Sequence, residues 1–176
     1  MRVGIALGSN IGDRLANFQA ARKAIVDLVR QRTDSPGRAG VNAPILSSSI
    51  YETEPVDCEP GAARFFNAVL EFDYESEPQQ LLKSLKAIEQ ELGRPGDHPR
   101  NVSRKIDIDF LYAGEMKMDN EDLHLPHPRM HLRRFVLEPL AEIRSDLILP
   151  GQKQNVGELL ANLKDSAEVV RANEQW

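Results

Sequence analysis

Arg104-Lys105-Ile106-Asp107-Ile108-Asp109-Phe110-Leu111-Tyr112 is a run of strand-forming residues interrupted by two carboxylates two positions apart. Side chains alternate across a strand, so Ile106, Ile108 and Phe110 point to one face and Asp107 and Asp109 to the other. The acids then stand about 6–7 Å apart on one sheet surface. At an effective dielectric of about 20 their repulsion costs roughly 2–3 kcal/mol, which a divalent cation between them reverses. Magnesium is commonly held by one or two carboxylates plus substrate phosphates, so the pair reads as a magnesium–nucleotide site. A bare Asp-x-Asp is more often the solvated face of an ordinary strand, and the neighbouring residues decide between the two.

Those neighbours are basic: Arg94, His98, Arg100, Arg104 and Lys105 on one side, then His127, Arg129, His131, Arg133 and Arg134. The chain as a whole is acidic, with a formal net charge of −5 and a pI near 5.4. A local excess of arginine in an acidic protein fits a polyphosphate better than nucleic acid, whose binders are more often basic throughout.

The 176 residues are expected to form a single domain, 1–176, large enough for a core without metal or disulfide staples. Hydrophobic residues make up 41% and charged residues 28%, ordinary for a globular protein. The apolar runs are too short for a membrane span, and nothing resembles a signal peptide. Cys58 is the single cysteine, which excludes an internal disulfide and fits a reducing cytoplasm.

Working outward from the acidic strand, the chain reads strand, helix, strand, strand, helix, strand. Arg2 to Leu7 alternates. Asp13 caps a helix that runs to about Arg32 on Leu15, Phe18, Ala21, Ile25, Leu28 and Val29. Thr33 to Pro44 reads as a loop, Ile45 to Thr53 as a second strand, and Glu54 to Arg64 as another loop. Phe65 to Tyr74 is the third strand, with Phe66, Ala68, Leu70 and Phe72 toward the core and Phe65, Asn67, Val69 and Glu71 away from it. Ser76-Glu77-Pro78-Gln79 has the spacing of a capping box, and Gly93 ends the helix built on Leu81, Leu82, Leu85, Ile88 and Leu92.

This order predicts an α+β fold, a ferredoxin-like plait (βαββαβ) with an antiparallel sheet, both helices on one face, and a C-terminal extension. The opposite face is expected to stay open. Phe65, Asn67, Asp107 and Asp109 project there over Gly4, Ala6 and Gly8, which describes a pocket better than a solvated surface. In the extension, helices are expected at Arg133 to Glu142 and Val156 to Leu163, followed by a polar tail ending at Trp176.

Five motifs in register carry a resemblance: Gly8-Ser9-Asn10, Tyr51-x-Thr53-x-Pro55, Phe66-Asn67-Ala68, Arg104-x-x-Asp107-Ile108-Asp109 and Leu125-Pro126-His127. From residue 3 to about residue 163 the chain resembles the 6-hydroxymethyl-7,8-dihydropterin pyrophosphokinases of folate biosynthesis. The resemblance implies transfer of the terminal diphosphate of ATP to the pterin hydroxymethyl group, with release of AMP. It implies two Mg2+ ions on Asp107 and Asp109, and Arg94 and Arg104 as catalytic arginines clamping the triphosphate. Glu89, His127 and Arg133 would join those arginines around ATP. Thr53, Phe65, Asn67 and Phe135 would hold the reduced pterin, the two phenylalanines by stacking. The partners are ATP and the reduced pterin, with no nucleic acid and no membrane, and the chain is expected to act as a monomer.

The chain departs from the family pattern in three places. A Trp-Gly pair before the matched arginine is Asn101-Val102 here. A second loop arginine is Gly96, and the tyrosine after the motif histidine is Pro128. The resemblance also implies that residues 94–103 form a lid over the nucleotide. Two other readings fit the residues: a related Mg-dependent phosphoryl or diphosphoryl transferase with another acceptor, and a non-catalytic plait domain that senses a nucleotide or pterin.

Overall fold

The computed structural model describes residues 1–33, 44–55, 61–93, 103–165 and 167–176. In chain order the elements are β1 (Arg2–Ser9), α1 (Arg14–Thr33), β2 (Leu46–Ser47), β3 (Tyr51–Thr53), β4 (Phe65–Asp73), α2 (Pro78–Glu91), β5 (Asp107–Ala113), β6 (Met118–Asp119), β7 (His124–Leu125), α3 (Arg134–Arg144), α4 (Val156–Asn162) and β8 (Val169–Arg171). The main sheet runs β5-β1-β4-β3-β8, with β2 also on β4, and each of its pairings is antiparallel.

On one face, α1 and α2 lay the expected stripes, Phe18, Ala21 and Ile25 with Leu81, Leu85 and Ile88, against Val3, Ile5, Leu7, Phe66, Ala68, Leu70, Phe72, Ile106, Ile108 and Phe110. Asp13 caps α1 as expected, its carboxylate accepting the Ala16 N–H at 3.0 Å. Gly93, at φ +96°, ends α2 in the left-handed conformation that glycine adopts without strain. The capping box at Ser76 does not form. The cap falls one residue later, at Glu77, which makes no side-chain cap bond, and Pro78 opens the helix instead.

The opposite face is only half open. α3 and α4 cover its far end with a second core of Val69, Leu111, Tyr112, Met130, Val136, Leu137, Leu140, Leu149 and Val156. Val69 and Glu71, expected to face away from the core, are therefore fully buried. A register shift between Gly4 and Ile5 sends both Leu111 and Tyr112 into this layer, as a β-bulge does. Gly4 is required there. A Cβ on Gly4 would lie 2.2 Å from the Tyr112 ring, which crosses the glycine to put its hydroxyl 2.8 Å from Glu71.

The expected second strand is broken in two. Ser47 pairs with Leu70 but Tyr51 pairs with Asn67, so the strand takes four steps against three. The Ser48 hydroxyl fills the break by accepting the Val69 N–H at 2.9 Å. The tail is ordered rather than a free polar end: β8 pairs with β3, and Trp176 packs edge-on to Phe18 while its indole N–H donates to the Ser48 carbonyl at 2.9 Å.

Candidate functional site

The half of the face that α3 leaves open is built by register. One row across the sheet reads Asp107–Gly8–Asn67–Tyr51, and the next reads Asp109–Ala6–Val69. Gly8 sits between an acid and an amide. A Cβ there would meet Asn67 Oδ1 at 3.5 Å, Phe65 Cδ1 at 3.8 Å and Asp107 Cβ at 4.0 Å, so the glycine forms a low floor on which all three converge.

Each acid faces its own arginine. Arg104 Nη1 donates to Asp107 Oδ2 at 2.7 Å, and Arg133 Nη1 lies 4.0 Å from Asp109 Oδ2. The aspartate side chains are 22% and 40% exposed, so both pairs open to solvent. Arg133 stands at the start of α3 with its guanidinium 5.3 Å from the centre of the Phe135 ring, which links the acids to the aromatic side of the site.

Thr53 and Asn67 meet, the Asn67 amide donating to Thr53 Oγ1 at 2.8 Å, both side chains buried. Phe65 opens β4 opposite Thr53 and is partly exposed. Phe135 lies in the first turn of α3, partly buried against the second core.

Glu89 is neither on a solvated helix face nor on the open face. It is buried, and its Oε1 accepts the Ile108 backbone N–H at 2.8 Å. β5 is an edge strand, and Ile108 lies between the two aspartates. Glu89 therefore fixes the strand that carries both acids from beneath.

His127 is held by its backbone N–H on the Leu111 carbonyl at 2.7 Å, and its Nδ1 accepts the Arg129 N–H at 3.2 Å. That bond leaves Nε2 as the protonated nitrogen of the neutral ring. Burial, reinforced by Arg133 and Arg129, pushes His127 down to about 4. A ring left neutral on folding makes stability rise with pH from about 4 up to its unfolded value of 6.5, because over that window only the unfolded chain takes up the proton. In the ligand-free protein, 15N-detected NMR titration should show the His127 ring unchanged from pH 8 down to 5. A midpoint near 6.5 would show that the burial is wrong.

Arg94, Cys58 and the lid segment up to residue 102 lie outside the described residues. Asn10 has no site role in the reading of the motifs above, yet it is buried and bonded to both flanks of the site, at Ala63 on one side and at Ser103 and Arg104 on the other. Its place directly after β1, beside the glycine floor, is the signal that could have found it.

Residues 4–145 match the family model described as 7,8-dihydro-6-hydroxymethylpterin-pyrophosphokinase. The chain belongs to this family. A 2-amino-4-hydroxy-6-hydroxymethyldihydropteridine pyrophosphokinase of Haemophilus influenzae is 36% identical over 161 residues, covering 92% of each chain. One from Bacillus subtilis is 42% identical over 139 residues, or 79% of this chain and 75% of the relative. A folate synthesis bifunctional protein of Arabidopsis thaliana is 37% identical over 141 residues, 80% of this chain, but the match spans only 26% of that longer protein. The crystal structure of wild-type Plasmodium falciparum HPPK-DHPS superposes with a TM-score of 0.62 at 13% identity, covering 91% of this chain and 44% of the other. At that identity the likeness speaks for the fold: a mixed α/β architecture around an antiparallel sheet. Membership of a pyrophosphokinase family of folate synthesis agrees with the motif reading.

Proposed function

We propose that the chain transfers the terminal diphosphate of ATP to the hydroxymethyl group of 6-hydroxymethyl-7,8-dihydropterin, releasing AMP, with two Mg2+ ions held between the nucleotide and Asp107 and Asp109. It would do so as a cytoplasmic monomer formed by one domain, on a sheet read as a ferredoxin-like plait. The strand order β5-β1-β4-β3 supports that reading of the fold.

The observation that carries the proposal is the pairing of each β5 acid with an arginine across an open face: Asp107 with Arg104, and Asp109 near Arg133. Among the described residues no cluster of three or more His, Cys, Asp and Glu gathers at one point. A metal on this pair would draw its remaining ligands from phosphate and water, the donor set magnesium favours. Bound there, magnesium would neutralise phosphate charge and polarise the phosphorus under attack.

The protein's own part is positioning and charge placement, which phosphoryl transfer chiefly needs. Asp107 and Asp109 would hold the metal, which would supply positive charge there, and Arg104 and Arg133 beside them would offer guanidinium donors to phosphate oxygens. Arg94 would add to this clamp from the neighbouring segment. His127, neutral with its proton on Nε2, would offer a hydrogen-bond donor to phosphate without the cost of burying an imidazolium. Glu89 supports the ATP site indirectly, through the peptide between the two acids. On the aromatic side, Phe65 and Phe135 would stack on the pterin, while Asn67, its amide oriented by Thr53, reads the ring's edge.

The test is to incubate the chain with ATP, Mg2+ and the reduced hydroxymethylpterin and follow products by 31P NMR. AMP and a pterin diphosphate in equal amounts are expected. ADP with a pterin monophosphate would favour a transferase of another type. Binding of both ligands without any turnover would favour a sensing domain.

A further inference from the structure

We infer that Asn10 is a positioning residue for Arg104, acting at the point where three segments around the site meet. The inference rests on the pyrophosphokinase reading for its kinetic arm only. Asn10 follows β1 directly and is 2% exposed. Its backbone N–H donates to the Arg104 carbonyl at 3.1 Å, and its Oδ1 accepts the Arg104 N–H at 2.7 Å, so both backbone polar groups of Arg104 bond to this one residue. The acceptor role fixes which amide atom is oxygen. Nδ2 then donates to Ser103 Oγ at 2.9 Å and to the Ala63 carbonyl at 3.4 Å.

Arg104 precedes β5 by three residues and could swing on its backbone without this clamp. With it, the guanidinium falls 2.7 Å from Asp107 and stays on the site side of the strand. Ala63 lies two residues before Phe65, so the same amide also ties the aromatic flank to the arginine flank. Asn10 is itself anchored from behind: its neighbour Ser9 is fully buried, with its hydroxyl 3.2 Å from the Asn17 amide of α1. A side chain that merely closed a turn would bond within its own segment. Asn10 instead directs its side-chain bonds to residues 53 and more positions away.

A double-mutant cycle tests this. Asn10→Ala is expected to lower kcat about 30- to 100-fold, the range for a catalytic group displaced by roughly 1 Å, while KM for the pterin stays within about threefold. Arg104→Ala is expected to cost more, and the double variant should lose no more than about threefold beyond Arg104→Ala alone. Losses that multiply, or an Asn10→Ala enzyme within about threefold of wild type, would overturn the inference. Should Asn10→Ala fail to fold, Ser103→Ala removes one arm of the clamp and must show the same absorption into the Arg104→Ala background. A second readout does not need turnover. The 15N Arg104 Nε–H resonance should be slow in exchange in wild type and fast in Asn10→Ala, and equal exchange would contradict the clamp. A wild-type chain that makes no AMP would sink the enzymatic reading and leave this NMR arm standing.

Discussion

Replacing Asp107 or Asp109 with alanine is expected to reduce turnover by about three orders of magnitude or more at saturating Mg2+, while the fold survives. The first half follows from chemistry: charge placement around the transferring phosphoryl group is worth several kcal/mol, and among the described residues no third acid gathers with the pair to substitute for the one removed. The second half follows from exposure. Both pairs are part-buried but reached by water, and ion pairs that water reaches contribute about 1 kcal/mol or less. From sequence alone, removing one acid should relieve repulsion and leave the protein equally or more stable. The arginines facing the acids offset that gain, so the expected midpoint is close to wild type. Steady-state kinetics and thermal unfolding on the same preparations check both halves. Near-normal turnover in either variant would remove the acid from the metal site.

Glu71→Gln is the substitution expected to cost the most stability. The Glu71 carboxylate is fully buried and receives Arg2 at 2.7 Å from β1, Arg144 at 2.6 Å from α3 and the Tyr112 hydroxyl at 2.8 Å from β5. It is where the second core is tied to the sheet. Breaking a buried ion pair on one side typically costs about 3–5 kcal/mol. For a chain of this length that lowers the thermal midpoint by roughly 6–20 °C. Burial by itself would raise the Glu71 pKa, but the bonds from Arg2, Arg144 and Tyr112 outweigh it and hold the carboxyl below its usual value of 4.5. With the folded pKa depressed, its contribution is fully present above the unfolded value and is lost as pH falls below about 4.5 through the folded one. Wild type should therefore lose stability more steeply on acidification than Glu71→Gln, as urea unfolding at pH 7 and in a series below pH 4.5 would show. Parallel pH profiles for the two proteins would mean that Glu71 is not the charged hub of this network.

Glu71 also marks where the sequence stops being legible. Alternation in β4 correctly separates Phe66, Ala68, Leu70 and Phe72 from Phe65, Asn67, Val69 and Glu71. It cannot tell which part of the second set is later roofed by a helix more than sixty residues downstream. An acid read against solvent is instead neutralised by partners 41 to 73 positions away. The run Ser47-Ser48-Ser49 in the expected second strand hides a bulge for a related reason: a hydroxyl standing in for a backbone partner leaves no periodic trace. The tail looks polar because β8 and Trp176 gain their partners from β3, Ser48 and Phe18, none of which is local. The site is more readable than the rest. Phe65, Asn67, Asp107 and Asp109 share the open face because they lie on strand positions of fixed parity, and a floor of glycine and alanine beside paired acids leaves room for a ligand that an ordinary solvated face does not need. Glu89 is harder to read, since it accepts a backbone N–H, a bond that no side-chain pattern encodes.

The proposed catalysis would depend on the two β5 acids carrying a metal that comes with the nucleotide. Electron paramagnetic resonance of Mn2+, in place of Mg2+, measures this directly with a non-hydrolysable ATP analogue and the pterin present. Wild type should bind Mn2+ in a nucleotide-dependent manner beyond that of the free nucleotide, and both Asp107→Ala and Asp109→Ala should lose that increment while still folding. Undiminished Mn2+ binding in either variant would contradict the assignment of that aspartate, and undiminished binding in both would place the metal elsewhere.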